Sequence, residues 1–263
     1  MTARKWAGPD GVAMLRVRTT DRPCLDHPSF PPDFVKALLL DMDGVLVDVR
    51  GSYRRAIAET VAHFTGTPPT PEAIQAKKDL GGFNNDWVLS EALVREAGGD
   101  APFEAIKAHF IEVYQGEDFD GLIATEPAAI RTATLEDLAE TYALGLVTGR
   151  PEADAQWTLD RFGWGALVPV VVGMGRQAGR EKPDPYGLTL ALADLGVDAT
   201  DAAFAGDTVD DMRAAVAAGC LGIGVVPPGH ELGPHGRTLM RAGAHVVVST
   251  PDALPALLAS GLG

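Results

Sequence analysis

Apolar and polar positions along this chain fall into blocks that switch between strand-like and helix-like spacing. Val35-Lys36-Ala37-Leu38-Leu39-Leu40 is an apolar run interrupted only by Lys36, and it stops at Asp41-Met42-Asp43-Gly44. A run without a polar face predicts a fully buried central strand. Helical spacing follows: Ile57, Val61 and Phe64 predict a helix over 53–64, with Ser52 as N-cap and Gly66 and Pro68-Pro69 as the stop. Thr70 before Pro71 predicts a second helix to Leu80. Helices also fit 87–97 and 102–114, and no strand pattern occurs between Gly51 and about Ala128. Strands at 143–147, 167–172, 202–205, 221–226 and 245–248 then alternate with helices at 132–142, 151–162, 210–218, 232–241 and 251–259, with a further helix following Pro185. Such alternation predicts an α/β fold, a parallel sheet with crossover helices on both faces. The expected division is an N-terminal extension over 1–33, a core domain from 34–50 and 129–263, and an all-helical domain over 51–128 inserted after the first strand. Residues 1–32 contain Pro9, Pro23, Pro28, Pro31 and Pro32 and no clear periodicity, so they are expected to pack loosely or be disordered, with Met14 as an alternative start.

Composition narrows the function classes. The 263 residues carry a formal net charge of -14, unfavourable for binding nucleic acid or an anionic membrane surface. Cys24 and Cys220 form no zinc-type spacing and no disulfide framework, and no apolar run approaches membrane-spanning length, so a cytoplasmic protein is expected.

Four short motifs bear chemistry, each at the end of a strand or start of a helix. Asp41 and Asp43 stand two residues apart and on ideal strand geometry share a face. Carboxylates so close repel unless a cation or shared proton relieves them. A calcium loop opening at Asp41 would need Glu at its twelfth position, where Ser52 stands. Thr148 follows an apolar strand and offers a hydroxyl, and Gly149 leaves neighbouring backbone N–H groups open. Lys182 precedes Pro183, and Gly206-Asp207-Thr208-Val209-Asp210-Asp211 places three acids at a strand-to-helix junction. Capping accounts for one such acid, not three. Several carboxylates in one crevice call for a hard divalent cation, and Mg²⁺ takes few protein carboxylates plus phosphate oxygens.

Asp-x-Asp-Gly, then Thr, then Lys-Pro, then Gly-Asp-x-x-x-Asp, in this order from about Lys36 onward, resembles the haloacid dehalogenase superfamily. The helical insert after the first motif resembles the C1 cap of its phosphoglycolate phosphatase and β-phosphoglucomutase-like branch. The resemblance implies a Rossmann-like core with a helical cap domain, Mg²⁺ as cofactor, and a small phosphorylated metabolite as partner. It implies Asp41 as nucleophile forming an aspartyl-phosphate, Asp43 as acid and base, and Thr148 and Lys182 as phosphoryl ligands. Asp207 would bind Mg²⁺ with the Asp41 carboxylate and the Asp43 backbone carbonyl, and Asp211, rather than the adjacent Asp210, would be the second acid of the last motif. The true dehalogenases lack an Asp at the place of Asp43, because a halide leaves without a proton, so Asp43 implies phosphoryl transfer. Candidate substrate contacts are Arg54, Asn84, Asn85 and Trp87 in the insert, with Gly149 and Arg150 in the core. The expected function is a Mg²⁺-dependent phosphatase acting on a sugar, polyol or amino-alcohol phosphate. A phosphomutase shares every core motif, and a non-catalytic phospho-metabolite-binding module is the third reading.

Overall fold

The computed structural model describes residues 3–7, 13–17, 35–80, 83 and 85–260. By internal contacts the chain divides into two compact units, Met1–Val47 with Ala128–Gly263, and Asp48–Pro127.

The first unit is built on a sheet of β1 (Ala3–Ala7), β2 (Ala13–Val17), β3 (Ala37–Leu40), β4 (Ala143–Val147), β5 (Val170–Val172), β6 (Ala202–Gly206), β7 (Leu221–Val225) and β8 (Val246–Val248), in the order β1-β2-β8-β7-β6-β3-β4-β5. From β3 to β8 every pairing is parallel, giving the expected Rossmann-like α/β core. β3 is central and wholly buried, as its apolar run requires, and β6 flanks it on one side with β4 on the other. The chain order reverses across β3, with β4 and β5 laid to one side and β6, β7 and β8 to the other. Ligands of open α/β sheets bind at the carboxyl ends beside such a switch point. Phe204, Leu188, Leu39 and Val147 belong to one buried cluster beneath those ends.

The expectation of a loose N-terminal extension is corrected in part. β1 and β2 pair antiparallel, and β2 pairs antiparallel with β8. Two five-residue strands are too short for a period to register in sequence, and pairing on a sheet edge is decided by backbone groups. The remaining residues of 1–33 lie outside the described residues.

Smaller differences have local causes. Only Val170–Val172 of the expected strand over 167–172 pairs, because Leu167 and Val168 donate backbone bonds to Trp164 O in a turn. A short helix, Met174–Gln177, escaped the pattern. The helices that cover the core are Thr132–Thr141, Glu152–Phe162, Tyr186–Leu195, Val209–Ala218, Leu232–Ala242 and Leu254–Ala259.

The second unit holds helices Tyr53–Thr65, Pro71–Asp79, Asp86–Glu96 and Phe103–Gln115, with a 3-10 turn at Leu122–Thr125 and no strand among the described residues. Gly66 ends the first of these with φ 77°, and Thr70 accepts from Ala73 N at the start of the second. Ser52 occupies the first N-cap position without capping: its hydroxyl donates to Glu126 Oε1 at 2.5 Å, where Tyr114 OH also donates at 3.2 Å. A buried carboxylate outcompetes the helix end for that hydroxyl.

Candidate active site

The site grows out of the carboxyl end of β3. The strand ends at Leu40, so the expectation that Asp41 and Asp43 share a strand face does not carry past it. The chain instead turns at once, with Leu46 N and Val47 N donating to Met42 O at 2.8 and 3.0 Å. Gly44 sits in the turn at φ 75°, and a Cβ there would lie 2.3 Å from Asp207 Oδ2. Only glycine lets the two acidic turns approach so closely.

Asp41 and Asp43 are thereby given different cations. Lys182 Nζ lies 2.9 Å from Asp41 Oδ1 and 2.7 Å from Asp211 Oδ1, and it donates to Val147 O at 3.3 Å. Met42 N also donates to Asp41 Oδ1, at 2.8 Å. Arg150 holds Asp43: its Nε and Nη2 reach Oδ1 at 2.7 and 2.6 Å. The Arg150 guanidinium is completely buried, and Nη1 donates to Thr158 Oγ1 at 3.3 Å.

Thr148 follows β4 and is fully buried. Its Oγ1 accepts from Arg150 N at 3.2 Å, so the hydroxyl proton remains to be donated. A Cβ on Gly149 would meet nothing within 4 Å. After β6, Thr208 and Asp211 form a capping box for the helix that follows: Thr208 N and Oγ1 donate to Asp211 Oδ2 at 2.8 and 2.7 Å, and Asp211 N donates back at 3.2 Å. Asp211 therefore caps with one oxygen and meets Lys182 with the other. Asp210 turns to a different cation, Arg213, at 3.3 Å.

Carboxylate oxygens of Asp41, Asp207 and Asp211 lie within 4.8 Å of one another. Burial pushes the Asp41 carboxyl up to about 7, with Asp211 and Asp43 adding to the rise and Lys182 opposing it. Desolvation likewise lifts Asp207 well above the usual carboxylate range, reinforced by Asp211, Asp41 and Asp43. Burial draws Lys182 down, but Asp211 and Asp41 outweigh it and leave the ammonium held more firmly than a free lysine. Among the groups that face one another here, four carboxylates meet the cations Lys182 and Arg150. The crowding that raises Asp41 and Asp207, on hard oxygen donors, is what a divalent cation of the Mg²⁺ kind would relieve.

Several partners in this site were not read from sequence. Thr158 and Asp154 lie on the helix Glu152–Phe162, and burial pushes Asp154 up to about 6 against the field of Arg150. Gln177 donates to Thr148 O at 2.7 Å. His235 Nε2 lies 2.8 Å from Asp207 O, and since a carbonyl only accepts, Nε2 carries the proton. No motif names these residues: Asp154 and Thr158 reach the site from the helix after β4, and Gln177 and His235 from separate helices further along the chain.

The candidates in Asp48–Pro127 are occupied within their own unit. Arg54 donates to Gln75, Asn85 Oδ1 accepts from Trp87 N and Val88 N at 3.0 and 3.3 Å, and Lys107 Nζ stands 4.3 Å from the centre of the Trp87 ring. Asn84 lies outside the described residues.

Comparison with known proteins gives matches over the same region. The family model of haloacid dehalogenase-like hydrolase matches residues 35–219. Imidazoleglycerol-phosphate dehydratase of Phytophthora nicotianae is 41% identical over 201 residues, 74% of this chain but only 44% of that protein, so the chain spans less than half of that relative's length. Phosphoglycolate phosphatase of Yersinia pestis is 31% identical over 194 residues, 73% of this chain and 81% of that protein. Among solved structures, a HAD family hydrolase of Deinococcus radiodurans R1 with bound phosphate and sodium superposes with a TM-score of 0.64 at 24% identity, covering 87% of this chain and 96% of that one, which shows a shared fold.

Proposed function

We propose that this chain, which belongs to the haloacid dehalogenase-like hydrolase family, is a Mg²⁺-dependent phosphatase of small phosphomonoesters that works through an aspartyl-phosphate on Asp41. The observation that carries the reading is the buried cluster at the end of β3: Asp41 within ion-pair distance of Lys182, beside Asp207 and Asp211.

Each residue has a defined task in this reaction. A carboxylate oxygen of Asp41 attacks phosphorus, and the bond from phosphorus to the substrate oxygen breaks. Asp43 gives a proton to the departing oxygen, then takes one from the water that attacks the aspartyl-phosphate. Inorganic phosphate leaves and the Asp41 carboxylate is restored. Lys182 and the Thr148 hydroxyl hold phosphoryl oxygens, Lys182 opposing the charge that gathers on them. The oxygens of Asp41, Asp207 and Asp211, with the Asp43 backbone carbonyl, would hold Mg²⁺, which when bound supplies positive charge to the phosphoryl group.

The substrate belongs to the sugar, polyol or amino-alcohol phosphates. Relatives named for phosphoglycolate, N-acetylmuramic acid 6-phosphate and imidazoleglycerol phosphate supply the first compounds to try. The test is phosphate release from these and from histidinol phosphate, with Mg²⁺ and with EDTA, using Asp41→Asn as the blank. Mg²⁺-dependent release is expected, with one substrate well ahead and turnover by Asp41→Asn lower by about 10⁴-fold or more. Release undiminished in Asp41→Asn would remove the covalent route.

A further inference from the structure

Arg150 was expected among the substrate contacts, and in the structure its guanidinium engages Asp43. We infer that Arg150 is a positioning residue for Asp43: it fixes one carboxyl oxygen so that the other faces the leaving group. The inference rests on the acid and base role proposed for Asp43.

Both Nε and Nη2 of Arg150 converge on the same oxygen, Asp43 Oδ1, at 2.7 and 2.6 Å. Among the described residues no side-chain or backbone donor meets Oδ2, and the Asp43 side chain keeps 32% of its surface exposed. One oxygen is thus anchored and the other is left for a proton to come and go. The anchor is itself held. The Arg150 side chain has no exposed surface, its Nη1 donates to Thr158, and Thr158 in turn donates to Asp154 O at 2.9 Å. Arg150 N is bound to Thr148 Oγ1, so the strand end that supplies a phosphoryl ligand also aims the acid. An arginine fork held at three nitrogens loses little freedom per bond, and an ammonium could not reproduce it.

A general acid is needed where the departing oxygen is basic, as in an alkyl phosphate, and hardly at all where it is p-nitrophenolate. In the first step the P–O bond breaks and the proton on Asp43 Oδ2 passes to an alkoxide oxygen; p-nitrophenolate leaves without it. A residue that positions the acid must separate these two substrates.

The experiment compares wild type, Arg150→Lys, Arg150→Met and Thr158→Val on phosphoglycolate, or whichever alkyl phosphate the panel ranks first, and on p-nitrophenyl phosphate followed as a pre-steady-state burst. For Arg150→Met, kcat on the alkyl phosphate should fall by about 10²-fold or more with KM changed little, while the burst of p-nitrophenolate keeps its wild-type rate. Arg150→Lys should restore only part of that kcat, and Thr158→Val, which keeps the fork and loosens its third bond, should fall less than ten-fold with the same selectivity. Equal losses on both substrates would overturn the inference in favour of a purely structural arginine. A rise in KM with kcat unchanged would overturn it in favour of substrate binding. If Arg150→Met does not fold, Arg150→Lys and Thr158→Val decide by the same ratio. Failure of the parent reading looks different: Asp43→Asn would then turn over the alkyl phosphate like wild type, whatever Arg150 does.

Discussion

The two units of this protein use their polar side chains in opposite ways. At the carboxyl end of β3 the polar groups are spent on one another: Lys182 on Asp41 and Asp211, Arg150 on Asp43, Thr208 on Asp211. In Asp48–Pro127 they are spent on holding the helices: Asn85 caps one, Arg54 joins Gln75 of the next helix, and Ser52 with Tyr114 satisfies the buried Glu126. Burying unlike charges together costs desolvation and makes each depend on its neighbours. Capping a helix or tying one helix to the next gathers no comparable cluster of like charges. The first arrangement is what reactivity requires, and the second is what any stable helical unit shows. The core's contacts therefore support the chemistry proposed for it, whereas substrate choice by the helical unit rests on functional tests.

The sharpest way to break this contrast is to remove the shared cation. Lys182→Met leaves Asp41 and Asp211 facing each other in a buried site. Without divalent cation the variant should lose about 3 kcal/mol of stability in denaturant unfolding, as when one partner of a buried ion pair is deleted. Turnover should fall by about 10²- to 10³-fold, the loss typical of one preorganised charge at a developing oxyanion. Mg²⁺ should return more stability to this variant than to wild type, since it neutralises the acids left behind. Wild-type stability and turnover together would mean that the cluster is not coupled. Gly44→Ala is the next largest. It forces a Cβ against Asp207 at a backbone angle of φ 75°, and two turns must part to admit it. A stability loss of about 1–3 kcal/mol is expected from the backbone alone. Weaker Mg²⁺ dependence, read as a raised half-saturating concentration in the phosphatase assay, should accompany it. Stability lost with Mg²⁺ dependence unchanged would separate the turn from the metal site.

Sequence reached the sheet and the four motifs because each rests on local pattern. A buried parallel strand must be apolar throughout, and a strand-end acid must interrupt it, so Leu38-Leu39-Leu40-Asp41 is legible in one glance. The second acid of Gly206-Asp207-Thr208-Val209-Asp210-Asp211 needed the structure, since Asp210 and Asp211 differ only in the direction a helix start aims them. Asp211 lies toward Lys182 and Asp210 toward Arg213. Arg150 was legible as a residue near the site but not as the partner of Asp43, 107 positions away, because no spacing rule connects a turn after β3 with one after β4. The β1–β2 pair was illegible for the opposite reason: its contacts lie in backbone pairing, and residues between Pro9 and Pro32 gave no period to follow.

The smallest effect tests the other side of the contrast. Asn85 was a candidate substrate contact, and in the structure its side chain accepts from Trp87 N and Val88 N as an N-cap. Asn85→Ala should cost about 1 kcal/mol, the ordinary value of a lost cap, seen as a lower Tm of the whole chain. Asn85→Ser and Asn85→Asp retain a capping oxygen and should recover most of it. If capping is its whole role, the three variants should share the wild-type KM on the preferred phosphomonoester, and Asn85→Asp is the most informative of them, because its added negative charge suits a helix N-terminus yet would repel a phosphate brought near it. A KM raised in Asn85→Asp while stability is kept would put Asn85 against the substrate, and the helical unit would then carry function on a residue that also holds its fold.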